Sequence, residues 1–186
     1  IGHWPFRPVK NLDGLLKHMD AAGIAEALVS SLHGVFYLNP QDANEELARC
    51  VAGRRDRLTP LAVLRPNFAA WEDDLARCVD EYGMRGIVLY PNYHRFELTD
   101  PALDAMADLA RVWALPIFIQ VGLEDPRRQF DRDIVLDVLP EKIGEFARRH
   151  PETCVVALGM KVSHPERAGE PLPANLFFDL SNYETM

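Results

Sequence analysis

Imidazole, guanidinium, phenol and carboxamide groups recur in this sequence at one kind of place, immediately after a short apolar run. "YPNYH" follows "GIVL" and carries Tyr90, Asn92 and His94; Arg65 follows "PLAVL"; Gln120 ends "PIFIQ". Imidazole titrates near neutrality, so His94 is a candidate general acid or base, with Tyr90 and Asn92 as contacts for the same substrate. An exposed histidine without a role is the alternative reading. A guanidinium grips a carboxylate through two parallel hydrogen bonds, which suits Arg65 to a carboxylate-bearing substrate; an internal salt bridge is the ordinary alternative. An amide within an apolar strand must find partners or cost a few kcal/mol, so Gln120 calls for a polar neighbour or a ligand pocket. Asp179, inside "FFDLS", makes the same demand more strongly because it is charged.

The chain begins "IGHWPFRP", where a glycine and two prolines exclude a helix and leave His3, Trp4 and Arg7 on an irregular segment. His3 reads either as a second proton-transfer or substrate-contact residue or as a loop histidine bonded to backbone. A start without methionine is expected of a processed or trimmed chain. His18 and His150 suit capping or surface roles better than catalysis.

The elements that must position these groups alternate. Helical patterns start at Asn11, Asn39 and Asp100, each a good N-cap, the latter two followed by proline. Two more cover "AAWEDDLARCVDEYG", closed by Gly83, and "VLPEKIGEFARRHP". The second helical pattern puts Leu47, Cys50 and Val51 on one side; Trp71, Tyr82 and Trp113 read as packing residues. Between the helices lie six apolar runs, "EALVSS", "PLAVL", "GIVLY", "PIFIQVG", "CVVALGM" and "NLFFDLS". They are nearly continuous rather than alternating, as parallel strands covered on both faces require. Neither GxGxxG nor GxxxxGK[ST] follows any of them, which leaves a (β/α)8 barrel ahead of a nucleotide-binding open sheet. In a barrel the polar strand ends share one mouth. They are Ser30, Ser31 and His33; Arg65 and Asn67; Tyr90, Asn92 and His94; Gln120, Glu124 and Asp125; and Asp179, Ser181 and Asn182.

Composition narrows the partners. The 186 residues are 48% hydrophobic and carry a net charge of −8, which repels nucleic acid and anionic membrane surfaces alike. No apolar run reaches the roughly 20 residues of a membrane span. Cys50, Cys78 and Cys154 are too scattered for a metal or disulfide framework and read as reduced core residues of a cytoplasmic protein. A single domain over residues 1–186, a small-molecule substrate and no nucleic-acid or membrane partner are the expectations; self-association is left open.

The stretch "MRGIVLYPNYHRFELTDPALDAMADLARVWALPIFIQVG" resembles the fourth and fifth βα units of the amidohydrolase superfamily, in the branch called amidohydrolase 2, which includes decarboxylases and lactonases. "GHWPFRP" is similar to that family's segment after strand one, and "ANLFFDLS" to a later strand. The resemblance implies a (β/α)8 TIM-barrel-like α/β fold, with about six βα units visible and the first and last strands missing or truncated. It implies a hydrolase or decarboxylase acting on a small carboxylate, lactone or amide, and a divalent metal such as zinc as cofactor. The family typically holds its metal through His-x-His on strand one, a histidine on strand five, sometimes one on strand six, and an aspartate on strand eight. Here Gln120 and Gly159 stand at the strand-five and strand-six positions, and the other ligands are expected before Ile1 and beyond Met186. The alternative is a metal-free, inactive barrel that binds a small molecule or serves a structural role.

Overall fold

The computed structural model describes residues 11–123, 129, 135–160 and 171–181. The chain divides into two compact units, Ile1–Val88 and Leu89–Met186. Every strand pairing described within them is parallel.

In the first unit, helix α1 (Leu12–Ala21) starts at Asn11, whose side chain accepts from the Gly14 N–H at 2.8 Å. Strand β1 (Ala27–Val29) leads into a four-residue helix α2 (His33–Phe36), then α3 (Pro40–Val51), capped by Asn39 on the Gln41 N–H. Strands β2 (Leu58–Pro60) and β3 (Ala62–Val63) are two halves of one apolar run, broken at Leu61, whose N–H donates to Val29 O at 2.8 Å. Helix α4 (Trp71–Asp80) lacks a side-chain cap; Ala70 before it takes φ 60°, and Glu72, Asp73 and Asp74 complement the helix dipole instead. Strand β4 (Ile87–Leu89) pairs in parallel with β3, Val63 opposite Val88.

β1 pairs with β2 as far as Pro60 and then ends, so Val63 lies past the reach of that neighbour. A side chain takes its place. Asn44, fully buried on α3, accepts from the Val63 N–H at 2.8 Å and donates to the Val63 carbonyl at 2.9 Å. The amide thus copies the pairing of a strand, satisfying two backbone groups that would otherwise be buried unpaired. Asn44 also donates to Gln41 Oε1, which accepts from the Cys78 thiol at 3.3 Å. Burial, eased by the Gln41 hydrogen bond, pushes the Cys78 thiol up to about 12, so it serves as a neutral donor.

In the second unit β4 runs into α5 (Pro91–His94), and Asp100 caps α6 (Pro101–Val112) through the Ala102 N–H. Strand β5 (Ile117–Gln120) pairs with β6 (Val155–Leu158), Gln120 opposite Leu158, and β6 pairs with β7 (Leu176–Phe178). Helix α7 (Pro140–Arg149) contributes buried Ile143, Phe146 and Ala147, while α6 contributes Leu103, Met106, Ala107 and Ala110. Each fully buried leucine or isoleucine is worth roughly 1.5–3 kcal/mol over exposure, so these stripes outweigh any single polar contact.

Some sequence expectations change. Cys50 and Cys154 are exposed, and Cys78 alone of the three is a core residue, because Cys50 falls at the edge of the stripe made by Leu47 and Val51. His150 is the C-cap of α7, its N–H on Phe146 O, as a capping role requires, but it is not a surface group: its Nε2 lies 2.7 Å from Asp104 Oδ1, beside Arg149, which donates to the same oxygen at 3.0 Å. Helices α2 and α5 are one turn each and follow β1 and β4.

Asn44→Ala leaves both Val63 backbone groups without their partner and is expected to lower unfolding free energy by about 3 kcal/mol in urea titration. A loss under about 0.5 kcal/mol, the range of neutral surface changes, would contradict the role given to it.

Candidate active site

Each unit carries polar residues at the ends of its strands. In the first, Arg65 follows β3. One terminal nitrogen donates to Leu38 O at 3.2 Å, and the guanidinium carbon lies 5.9 Å from the Phe68 ring centre. Its Nε is buried and has no hydrogen-bond partner among the described residues. A guanidinium offers five donors, and burying one unmatched is costly.

Leu38 also follows a group that the sequence reading left unassembled. His33 Nδ1 lies 2.9 Å from Glu46 Oε2 on α3, and the Tyr37 hydroxyl donates to Glu46 Oε1 at 3.2 Å. The His33 and Tyr37 rings stack at 5.2 Å. The hydrogen bond with His33 draws the Glu46 carboxyl below its ordinary value despite partial desolvation, with Tyr37 and Arg49 assisting. Desolvation and the neighbouring Glu46 raise the Tyr37 phenol and keep it protonated. A close approach makes this arrangement fit: a Cβ on Gly34 would stand 2.8 Å from Val63 Cβ, so glycine lets α2 rest on β3. His33 was visible as a strand-end residue. Its partner Glu46, thirteen residues on, carried no local signal.

In the second unit Tyr90 and His94 are both buried, at 4% and 2% exposure, with rings edge to face at 5.7 Å and the His94 N–H on Tyr90 O. His94 is therefore enclosed, not the exposed loop histidine of the alternative reading. The Asn92 amide donates to Leu136 O, tying α5 to the segment before α7. Gln120 Nε2 donates to Gly122 O at 2.8 Å and to Leu158 O at 3.3 Å, so its donor is committed to backbone and its carbonyl oxygen is what remains for a ligand. The Asp137 carboxylate lies against Gly122, where a Cβ would stand; Asp137, in the unremarkable run "DIVLDVLP", carried no signal in the sequence.

Asp179 finds its partners after β7. The Gly159 N–H donates to its Oδ1 at 2.9 Å and the Ser181 hydroxyl to its Oδ2 at 2.8 Å. Gly159 takes φ 72°, a left-handed conformation that strains a residue bearing a Cβ. A histidine is thus disfavoured there on backbone grounds. His3, Trp4, Arg7, Glu124, Asp125 and Asn182 lie outside the described residues.

The described residues do not fit a metal: no group of three His, Cys, Asp or Glu among them is placed to hold one. Gln120 turns its amide nitrogen to carbonyls, and Gly159 has no side chain to offer.

The family model for amidohydrolases matches residues 2–164. The chain belongs to the amidohydrolase family. No match is found among curated proteins. Among solved structures, the 4-oxalomesaconate hydratase of Rhodopseudomonas palustris is similar with a TM-score of 0.68 and 21% identity, over 92% of this chain and 59% of that one. The 5-carboxyvanillate decarboxylase of Sphingomonas paucimobilis gives 0.61 and 20%, over 84% and 56%. A dihydroxybenzoic acid decarboxylase of Polaromonas, with bound manganese and the inhibitor 2-nitroresorcinol, gives 0.58 and 19%, over 80% and 55%. The chain thus spans between half and three-fifths of the length of these structures. The likeness establishes the fold, an α/β architecture of the TIM-barrel type.

Because Glu46 has a lowered carboxyl pKa in the folded state, its contribution to stability is present above its unfolded value of about 4.3 and fades as the pH falls through the folded one. The stability gap between wild type and Glu46→Gln, from urea titrations, is expected to be widest above about pH 5 and to shrink towards pH 3. A gap that grows on acidification would contradict the His33–Glu46 pairing.

Proposed function

We propose that this chain carries out hydrolysis or decarboxylation of a small carboxylate-bearing molecule, lactone or amide, with Arg65 holding the substrate carboxylate. The observation that supports this reading is the unmatched donor on Arg65. A strand-end guanidinium has one terminal nitrogen on the Leu38 carbonyl and a buried Nε without a partner among the described residues. A carboxylate approaching edge-on supplies two acceptors at once. The family match and the neighbouring hydratase and decarboxylases support the substrate class.

For the second unit taken by itself, we assign His94 proton transfer and Tyr90, Asn92 and Gln120 contact with a small ligand, Gln120 through its carbonyl oxygen. His3 is assigned proton transfer as well and lies outside the described residues. A divalent metal, the family's cofactor, supplies a Lewis acid and an activated water when bound; its donors are not found among the described residues. The cysteines, all free, fit a cytoplasmic location.

One observation favours the second reading, a barrel that binds without turnover: the two family metal positions are occupied by Gln120, committed to backbone, and Gly159, held at positive φ.

Dihydroxybenzoates, carboxylated lactones and N-acyl amino acids form the first substrate panel. On the compound turned over, Arg65→Ala is expected to raise KM about 30- to 100-fold, the loss of about 2–3 kcal/mol of charge-assisted hydrogen bonding, with Arg65→Lys recovering only part. An unchanged KM would remove Arg65 from the reading; saturable binding of the panel without turnover would favour the second one.

A further inference from the structure

Arg65 is held by a second side chain that has no need to touch a ligand. We infer that Phe68 is a positioning residue, its ring fixing the Arg65 guanidinium in the orientation that receives a carboxylate; the inference rests on the carboxylate reading of Arg65. Three observations converge on it. The guanidinium carbon lies over the half-buried Phe68 ring, 5.9 Å from its centre, where the negative face of the ring attracts the cation. The Phe68 N–H donates to Arg65 O at 3.1 Å, so "RPNF" is a turn that folds the ring back onto the arginine that begins it. Leu38 O accepts from Nη1 of the same guanidinium at 3.2 Å.

The turn is written into the local sequence. Pro66 presets φ for the first central position, and Asn67 suits the second. Pro66 is buried, which ties the turn to the body of the first unit. Val63, two residues before Arg65, is held by Asn44, so the chain enters the turn from a fixed strand end.

This arrangement prepares the arginine for its task. A free arginine side chain samples many rotamers and loses that freedom when it grips a ligand. Here much of the freedom is already lost on folding, through Leu38 on one nitrogen and the Phe68 ring beside the group. With Nη1 on Leu38, the edge left for a carboxylate is the one formed by Nε and Nη2. Nε is also the buried donor without a partner among the described residues. Phe68 thus adds affinity through Arg65, with no contact of its own to the ligand.

Two probes of different size test this. Benzoate and acetate are titrated separately at constant ionic strength, to about 10 mM and about 100 mM, while the Arg65 Nε–H signal is followed by NMR. The expected result is a saturable shift of that signal with each probe, absent in Arg65→Ala. Phe68→Leu is expected to weaken both probes by the same factor, at least about threefold, whereas Phe68→Tyr, which keeps the ring, stays within about twofold of wild type. Phe68→Met is measured alongside and followed by thermal unfolding, so that one poorly folded variant does not decide the result.

Affinities in Phe68→Leu and Phe68→Met within about twofold of wild type would overturn the inference and leave the Arg65 reading standing. A loss confined to benzoate would overturn it too, since Phe68 would then touch the body of the ligand instead of acting through Arg65. Phe68→Tyr weakened as much as Phe68→Leu would assign the effect to packing and have the same consequence. Probes that leave Arg65 unmoved in the wild type would overturn both readings. On a panel compound that is turned over, Phe68→Leu is expected to raise KM by the factor found for binding, with kcat within about twofold, the pattern of lost uniform binding.

Discussion

The strand end that carries Arg65 depends on one pairing between a side chain and the backbone. Past the end of β1, Val63 needs a partner for both its N–H and its C=O, and Asn44 supplies the two bonds. Because the amide comes from α3, it fixes that helix to β3 in register as well as in distance. Glu46, on the exposed side of the same helix two residues on, therefore inherits its position from Asn44. The His33–Glu46 contact and the Arg65 donor to Leu38 are then two further ties between the same elements. A hydrogen bond buried out of water is a stringent way to set such a register, since a slipped arrangement leaves polar groups unpaired.

The second unit uses the same economy of backbone and amide at its strand ends. Gln120 bridges the turn after β5 to the end of β6, and Asp179 after β7 accepts from Gly159 after β6. The Gln120–Leu158 and Gly159–Asp179 bonds join neighbouring strands at the end of their regular pairing or just past it. At the opposite end of the strands, Asn175 donates to Ala147, His150 and Thr153 carbonyls, gathering the end of α7 and the turn into β6. Polar residues that look like ligand contacts in a sequence thus divide their donors between fold and function. Gln120 is the clearest case, with its nitrogen given to the fold.

Much of the architecture was legible because local chemistry determines it. Asn11, Asn39 and Asp100 cap helices as their types and spacing require, and the six apolar runs are strands, one of them broken at Leu61. What escaped was set by distant contacts. Nothing near Glu46 marks it as the partner of His33, and nothing near Asn44 announces a strand edge 19 residues away that lacks a neighbour. Cys50 and Cys154 look like core residues by type and are exposed by position. The enclosed state of His94 was equally out of reach, because "YPNYH" gives no sign that Pro91 starts a helical turn folding the imidazole beneath Tyr90.

The central claim is that Arg65 is a carboxylate receptor, and a crystal structure of the chain soaked with an aromatic carboxylate tests it most directly. The account predicts both carboxylate oxygens on the Arg65 guanidinium, one of them on Nε. A carboxylate bound elsewhere, with Arg65 Nε satisfied by an acceptor from the protein itself, would contradict it.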